Sequence, residues 1–246
     1  DAIFQWMAQG RLEFDRVGFR AVCAREDLLG AAQGGPRVFG VKSFEHAFDR
    51  LEERCHAVLD LIPSFDERYI RSDADWDAKL YPALRTFLLA AAKDQPRLRL
   101  ALDAHVTLAF AAGSVINIKS GRQVELEQRS TGRRLWSADD MIPDTTWPAL
   151  VLETAVLRPD QPELAVAVGL THDVSADVRR YCESALPNVG QILILKPNCG
   201  SGAQSVTCGR HAFELADTAT GAIRTAKADG PGLTHLFVAA PNAFTF

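Results

Sequence analysis

From Ser43 onward the apolar residues Phe44, Ala47, Phe48, Leu51, Cys55, Val58, Leu59 and Ile62 recur mostly at steps of three and four. That spacing lines up one stripe of an α-helix and predicts a helix that starts at Ser43, a natural N-cap, and stops at Pro63. A second helical pattern runs from Trp76 through Leu80, Leu84, Phe87, Leu88 and Ala91 and ends near Pro96. Pro82 within it either kinks the helix or marks a restarted first turn. The period then drops to two. Leu98, Leu100 and Leu102 alternate with Arg97, Arg99 and Ala101 as a strand, and Asp103-Ala104-His105 follows as a turn. Val106 to Ile116 is apolar nearly all round, the mark of a buried helix, with Ala109, Ala111, Ala112 and Gly113 permitting close packing. Val124 and Leu126 sit in another strand, which makes 97–128 a strand, helix, strand unit. The polar segment from Arg129 to Thr146 is expected to be a long loop.

The second half repeats the alternation. Leu164–Leu170 is a continuous apolar run of strand length, Ser175–Ala185 is helical, Ile192–Leu195 is a β-branched strand, Gly209–Lys227 is helical and Leu233–Val238 is a further strand. Apolar strands separated by helices signal parallel sheets covered on both faces. The expected fold class is therefore α/β, with two fused Rossmann-like subdomains whose mainly parallel sheets are flanked by helices. Residues 1–150 would hold a helical lead-in and the first half, and 151–246 the second.

Composition narrows the field without naming a function. With 47% hydrophobic and 24% charged residues over 246 positions, the chain is an ordinary folded protein, not disordered, collagen-like or coiled coil. No window approaches the roughly 20 apolar residues of a membrane span, and the start lacks a basic signal-peptide region. A soluble, cytoplasmic protein is expected, with no membrane partner. Both ends read as cuts from a longer polypeptide. The five cysteines, Cys23, Cys55, Cys182, Cys199 and Cys208, contain no CxxC pair and read as reduced thiols. A net charge of −4 argues against a long polyanion as partner, while leaving room for a small anion held locally.

In parallel α/β sheets the ligand lies beyond the carboxyl ends of the strands. Here those ends are Asp103-Ala104-His105, Thr171-His172-Asp173, Lys196-Pro197-Asn198 and Ala239-Ala240-Pro241-Asn242, and the third opens into Cys199-Gly200-Ser201-Gly202-Ala203-Gln204-Ser205. A lysine, two glycines and small hydroxyls suit a phosphate or ribose. The candidate ligand-binding residues are thus Lys196, Pro197, Asn198, Ser201, Gln204, His105, Thr171, His172 and Pro241, with Trp136 added. Lys196 could neutralise a phosphodiester or simply snorkel from its strand end. His105 and His172 could bond a base or phosphate, or cap their own helices. Trp136, after Arg133 and Arg134, could stack on a purine or pack in a core. Tyr69 and Arg71 form a weaker pair of the same kind.

Catalytic patterns are missing from the chain as read. Ser201 lies in no GxSxG elbow, and no GxGxxG run with a following acid is present. His46, Cys55 and His56 have the wrong spacing for a metal pair. Neither a metal nor a cofactor is expected.

The runs Glu163–Val174 (ELAVAVGLTHDV), Gln191–Pro197 (QILILKP) and Thr234–Ala243 (THLFVAAPNA), with Leu102–Gly113 (LDAHVTLAFAAG) and Trp136 upstream, resemble the SAVED domain. The resemblance covers about Trp76 to the end. SAVED domains are sensor modules of bacterial CBASS anti-phage effectors, each similar to two fused CARF-like subdomains. The resemblance implies recognition of a cyclic oligonucleotide made by a partner nucleotidyltransferase, then self-association that switches on an attached effector. The short helical lead-in looks most like the sensor half of an HNH-SAVED endonuclease, which implies a cyclic dinucleotide such as a cGAMP isomer and an effector nuclease outside this chain. The rival readings are a ring nuclease that cleaves a cyclic oligonucleotide and a plain scaffold.

Overall fold

The computed structural model describes Gly10 and residues 37–44, 50–93, 95–116, 121–129, 133–227 and 232–246. The chain divides into two compact units, 1–36 and 37–246, and the second holds every element named below.

The first sheet is built from β1 (Val38–Lys42), β2 (Ala57–Asp60), β5 (Arg97–Asp103), β6 (Gln123–Arg129) and β7 (Arg133–Trp136), in the order β2-β1-β5-β6-β7. All pair in parallel except β7, which returns antiparallel along β6. A small hairpin, β3 (Phe65–Asp66) with β4 (Tyr69–Ile70), and the helical turn α1 (Leu51–Arg54) lie between its strands in sequence. The helices α2 (Tyr81–Ala92) and α3 (Val106–Val115) follow.

Two expectations fail here. The helix predicted from Ser43 to Ile62 is, among the described residues, the single turn α1 followed by the strand β2; positions 45–49 lie outside the described residues. Ala57-Val58-Leu59-Asp60 can satisfy its backbone along β1, and that pairing overrides the local helical period. His56 N–H donates to the Val38 carbonyl (2.7 Å) and Leu61 N–H to the Lys42 carbonyl (2.8 Å), bracketing the ladder. Gly40 makes the close packing possible: a Cβ there would stand 3.1–3.2 Å from Leu51, Cys55 and Val58 side-chain atoms. The second failure is the loop expected over 129–146, of which Arg133–Trp136 is the strand β7.

Pro82 does restart the helix. It has no N–H to donate, and the turn just before it, Trp76–Leu80, widens to a π-turn closed by Tyr81 N–H on the Trp76 carbonyl. The fully buried side chains of Leu80, Leu84 and Leu88 then meet Val41, Leu98, Leu100 and Leu108 in the first core.

The second sheet has the order β11-β9-β10-β8, from β8 (Leu150–Val156), β9 (Glu163–Gly169), β10 (Val189–Pro197) and β11 (Thr234–Ala239). The central strand β9 is parallel to both neighbours, and β8 is an antiparallel edge that the sequence pattern did not reveal. Alternation sorts the core residues. Leu164, Val166, Val168, Leu193 and Leu195 belong with Ala212, Leu215 and Ala219 of α5 (Gly209–Lys227), whereas Ala165, Ala167, Ile192 and Ile194 belong with Val178 and Cys182 of α4 (Ser175–Ala185). Each leucine or isoleucine so buried contributes about 1.5–3 kcal/mol relative to exposure.

The two halves share residues. Trp136 belongs to the first sheet but to the second core, and the last turn, α6 (Asn242–Thr245), has Phe244 in the second core while Phe246 packs on the first. Gly113 of α3 allows this approach, since a Cβ there would overlap the Phe246 carbonyl at 1.6 Å. The fold is thus α/β, two mainly parallel sheets flanked by helices.

Candidate functional site at the adjoining strand ends

The carboxyl ends of the two sheets meet at Asn242. This residue opens α6 just beyond β11, and its Nδ2 donates to the Leu102 carbonyl near the end of β5 (2.8 Å). On the first-sheet side lies a cleft of about 240 Å³, bounded by Ala101–Asp103 of β5, Glu127–Arg129 of β6, Arg133 of β7, Arg54 of α1 and Asn242. Arg129 pairs with Asp103 (3.3 Å), and Arg54 with Glu127. Of these residues the strand-end rule picked out Asp103 and Asn242. Arg133 was noticed only as a neighbour of Trp136. Arg54 and Arg129 were missed, because their carboxylate partners lie 73 and 26 positions away in sequence.

On the second-sheet side the strand ends of β9 and β10 are joined by the loop after Pro197. Lys196 Nζ reaches Asp173 Oδ2 (2.8 Å), and Asp173 Oδ1 accepts from Ser175 N–H (2.9 Å) and Oγ–H (2.6 Å) at the start of α4. The Lys196 ammonium and the two Ser175 donors hold the Asp173 carboxyl down at about 2. Ser201 Oγ donates to the Gly169 carbonyl (2.6 Å) and Gly202 N–H to the Leu170 carbonyl (2.8 Å), so the loop folds back on the end of β9. Gly200 supplies the left-handed residue this needs, with φ at 86°. The Pro197 carbonyl accepts from Gly200 N–H (2.9 Å), and Asn198 bridges to Ala149 through its own N–H (2.9 Å) and through Oδ1 (3.3 Å). Thr171 Oγ1 and His172 Nδ1 are partners at 3.1 Å, with the His172 ring exposed. Gln204 is exposed in the same loop, and the Pro241 carbonyl caps α6.

The remaining candidates sit differently. His105 stands at the N-cap of α3 with Nδ1 2.5 Å from Ser43 Oγ and Nε2 3.2 Å from the Glu67 carbonyl, its ring stacked on Phe65 at 4.4 Å. Burial, with the nearby Arg68 charge adding to it, lowers its pKa and favours the neutral ring. Trp136 lies in the second core at 7% exposure and lines a mostly apolar cavity of about 360 Å³ between α3, β6 and β7 on one side and α5 and α6 on the other. Tyr69 is exposed, and Arg71 Nε donates to the Phe65 carbonyl (2.8 Å). His46 lies outside the described residues, and His56 is edge-on to Phe39. Among the described residues no group of three or more His, Cys, Asp or Glu could hold a metal ion, and no helix is long and apolar enough to cross a membrane.

Open α/β sheets are the class of fold in which ligands are held beyond the carboxyl ends of the strands, and here two such edges adjoin. The chain belongs to the SAVED family, the "SMODS-associated and fused to various effectors sensor domain", which matches residues 80–246. The CD-NTase-associated protein 4 of Enterobacter hormaechei subsp. hoffmannii (strain UCI 50) is 28% identical over 242 residues, covering 97% of this chain and 48% of that protein. Among solved structures, the Acinetobacter baumannii Cap4 SAVED/CARF-domain receptor with the cyclic trinucleotide 2'3'3'-cAAA superimposes with a TM-score of 0.61 at 16% identity, over 86% of this chain and 45% of that one. The Moraxella osloensis Cap4 receptor does so at 0.56 and 15%, over 93% and 47%. These are likenesses of fold, and this chain spans about half the length of the proteins it matches.

Proposed function

We propose that this sensor domain binds a cyclic oligonucleotide across the adjoining carboxyl edges of its two sheets and passes the signal to an attached effector by self-association. The observation that carries the reading is the Asn242 to Leu102 hydrogen bond, which ties the strand ends of one half to those of the other. A ring that touches both edges can fix their relative angle, and differential affinity for one arrangement is what a sensor requires. Polar strand ends beside a charged cleft suit a compact, multiply charged ring. The Acinetobacter baumannii receptor is described with two cyclic trinucleotides, 2'3'3'-cAAA and 3'3'3'-cAAA. This moves cyclic trinucleotides ahead of the cGAMP-type dinucleotide as the first ligands to try.

Calorimetric titration of both cAAA isomers, the cGAMP isomers and a linear trinucleotide into the purified chain is the test. Saturable binding of a cyclic compound, recovered unchanged by chromatography, with a rise in mass by light scattering is expected. No binding to any cyclic compound refutes the reading. Linear products replace it with the ring nuclease, and constant mass at saturation removes the self-association step.

A further inference from the structure

The second sheet ends in an edge that none of the described strands covers. β8 lies outermost in the order β11-β9-β10-β8, and most of its residues are exposed, Leu152 at 47% and Val156 at 61%. The bonds flanking the strand fix which of its backbone groups point outward. At one end Asn198 N–H donates to the Ala149 carbonyl (2.9 Å), and at the other Leu157 N–H donates to the Gly190 carbonyl (2.8 Å). Bonded residues alternate along an antiparallel ladder, so Val151, Glu153 and Ala155 turn their N–H and C=O groups to β10, while Leu152, Thr154 and Val156 turn theirs away from the sheet. In this phase Pro197, which has no N–H, stands opposite Leu150, where none is needed on the β8 side. Edge strands are normally blunted by lysine, proline or a bulge. β8 has none of these from Leu150 to Val156, and its single charge is Glu153.

We propose that two copies of this chain pair β8 with β8 about a two-fold axis through Thr154, joining their second sheets into one continuous sheet. The strand is self-complementary in that register. Leu152 faces Val156 of the second copy, Thr154 faces its counterpart, Val151 faces Leu157 and Glu153 faces Ala155, so apolar side chains meet apolar ones and the charge meets a small residue. The two neighbouring registers that keep the outward groups in phase are worse. An axis through Glu153 sets the two carboxylates directly opposite, and an axis through Leu152 brings Pro148, without an N–H, opposite Val156. Leu152 and Thr154 stand opposite Leu195 and Leu193 of β10, which belong to the core beneath α5, so the contact continues the apolar face of that core. Pairing the outward groups of Leu152, Thr154 and Val156 supplies about six backbone hydrogen bonds. It needs no ligand and is tested in the ligand-free chain, apart from the cyclic-oligonucleotide reading.

Sedimentation equilibrium of the purified chain over a concentration series is expected to fit a monomer–dimer equilibrium. Hydrogen exchange should show the amides of Leu152, Thr154 and Val156 gaining protection with concentration, while those of Val151, Glu153 and Ala155 stay protected throughout. Three variants, each first checked by thermal melting, address the contact. Thr154→Pro removes the central outward donor and none of the bonds to β10. Leu152→Lys/Val156→Lys sets like charges opposite each other, and Leu152→Glu/Val156→Lys sets opposite charges there. The first two should weaken dimerisation roughly tenfold or more, and the third should dimerise at least about tenfold more tightly than the double-lysine variant. The double-lysine variant alters only exposed side chains and decides the matter if the proline variant fails to fold. A chain that is monomeric at every concentration, or a dimer that survives these changes, overturns the proposal. So do a charge-swapped variant no tighter than the double-lysine one, and outward amides already protected in the monomer, the sign that another segment of the chain covers the edge.

Discussion

Removing the Asp140 carboxylate should loosen α5, the longest helix among the described residues. The first amides of a helix have no intrahelical acceptor, and in α5 each has found another partner: Gly209 and Arg210 use Asp140, His211 uses the Cys208 sulfur (3.4 Å) and Ala212 the Cys208 carbonyl (3.0 Å). Asp140 also accepts from Ser137 N–H at 3.4 Å, so it ties the β7–β8 connection to the helix. Asp140→Ala strands two amides and removes a negative charge from the positive end of the helix dipole. A lost cap costs about 1 kcal/mol and the dipole a further few tenths, because the aspartate is solvent-exposed, for a total of about 1–2 kcal/mol. Asp140→Asn keeps one acceptor and should lose about half of that. For a domain of this size the alanine variant should melt about 3–6 °C lower. Urea unfolding followed by tryptophan fluorescence measures the free energy, and hydrogen exchange at Gly209 and Arg210 reads the cap itself. Unchanged stability together with unchanged protection of those two amides would refute the argument.

Gly190→Ala should be far more damaging than an ordinary surface change, since its Cβ would stand 2.1 Å from the Gln161 carbonyl oxygen and neither backbone can step aside without breaking the start of β10; a loss of about 2–4 kcal/mol is expected in the same urea assay. The Asp173 carboxyl should titrate near 2 by side-chain NMR, and Lys196→Gln should return it toward its ordinary 3.8. Because the folded pKa is depressed, the pair's contribution to stability is present above about 4 and disappears as pH falls toward 2; with both partners partly exposed it is small. A titration midpoint near 4 in the parent protein would mean that the ion pair does not persist in solution.

Much of the fold was written in local pattern. The α4 and α5 helices start and stop at the residues their apolar spacing indicates, Ser175–Ala185 and Gly209–Lys227; β5, β6 and β10 contain the strands read from the chain, and β9 and β11 are each offset from theirs by one residue. These elements bury one face or both within their own length, so their period survives in the sequence. The strands that escaped notice have no such record. Val38–Lys42 is too short to show a period, Ala57–Asp60 lies inside a run that fits a helix equally well, and β8 is an edge strand exposed along most of its length.

The same division runs through the site. Strand-end polarity located Asp103, Asp173, Lys196 and Asn242 because parallel topology sends every carboxyl end to one edge of its sheet. It could not say which charges pair with which. That Lys196 pairs with Asp173, that Arg129 pairs with Asp103, and that Asn242 crosses to Leu102 depend on chain segments that only sheet pairing and the packing of α6 bring together. Local spacing determines which side chains an element presents, whereas the partner each charge finds is set by residues distant in sequence that only the packed sheets bring together.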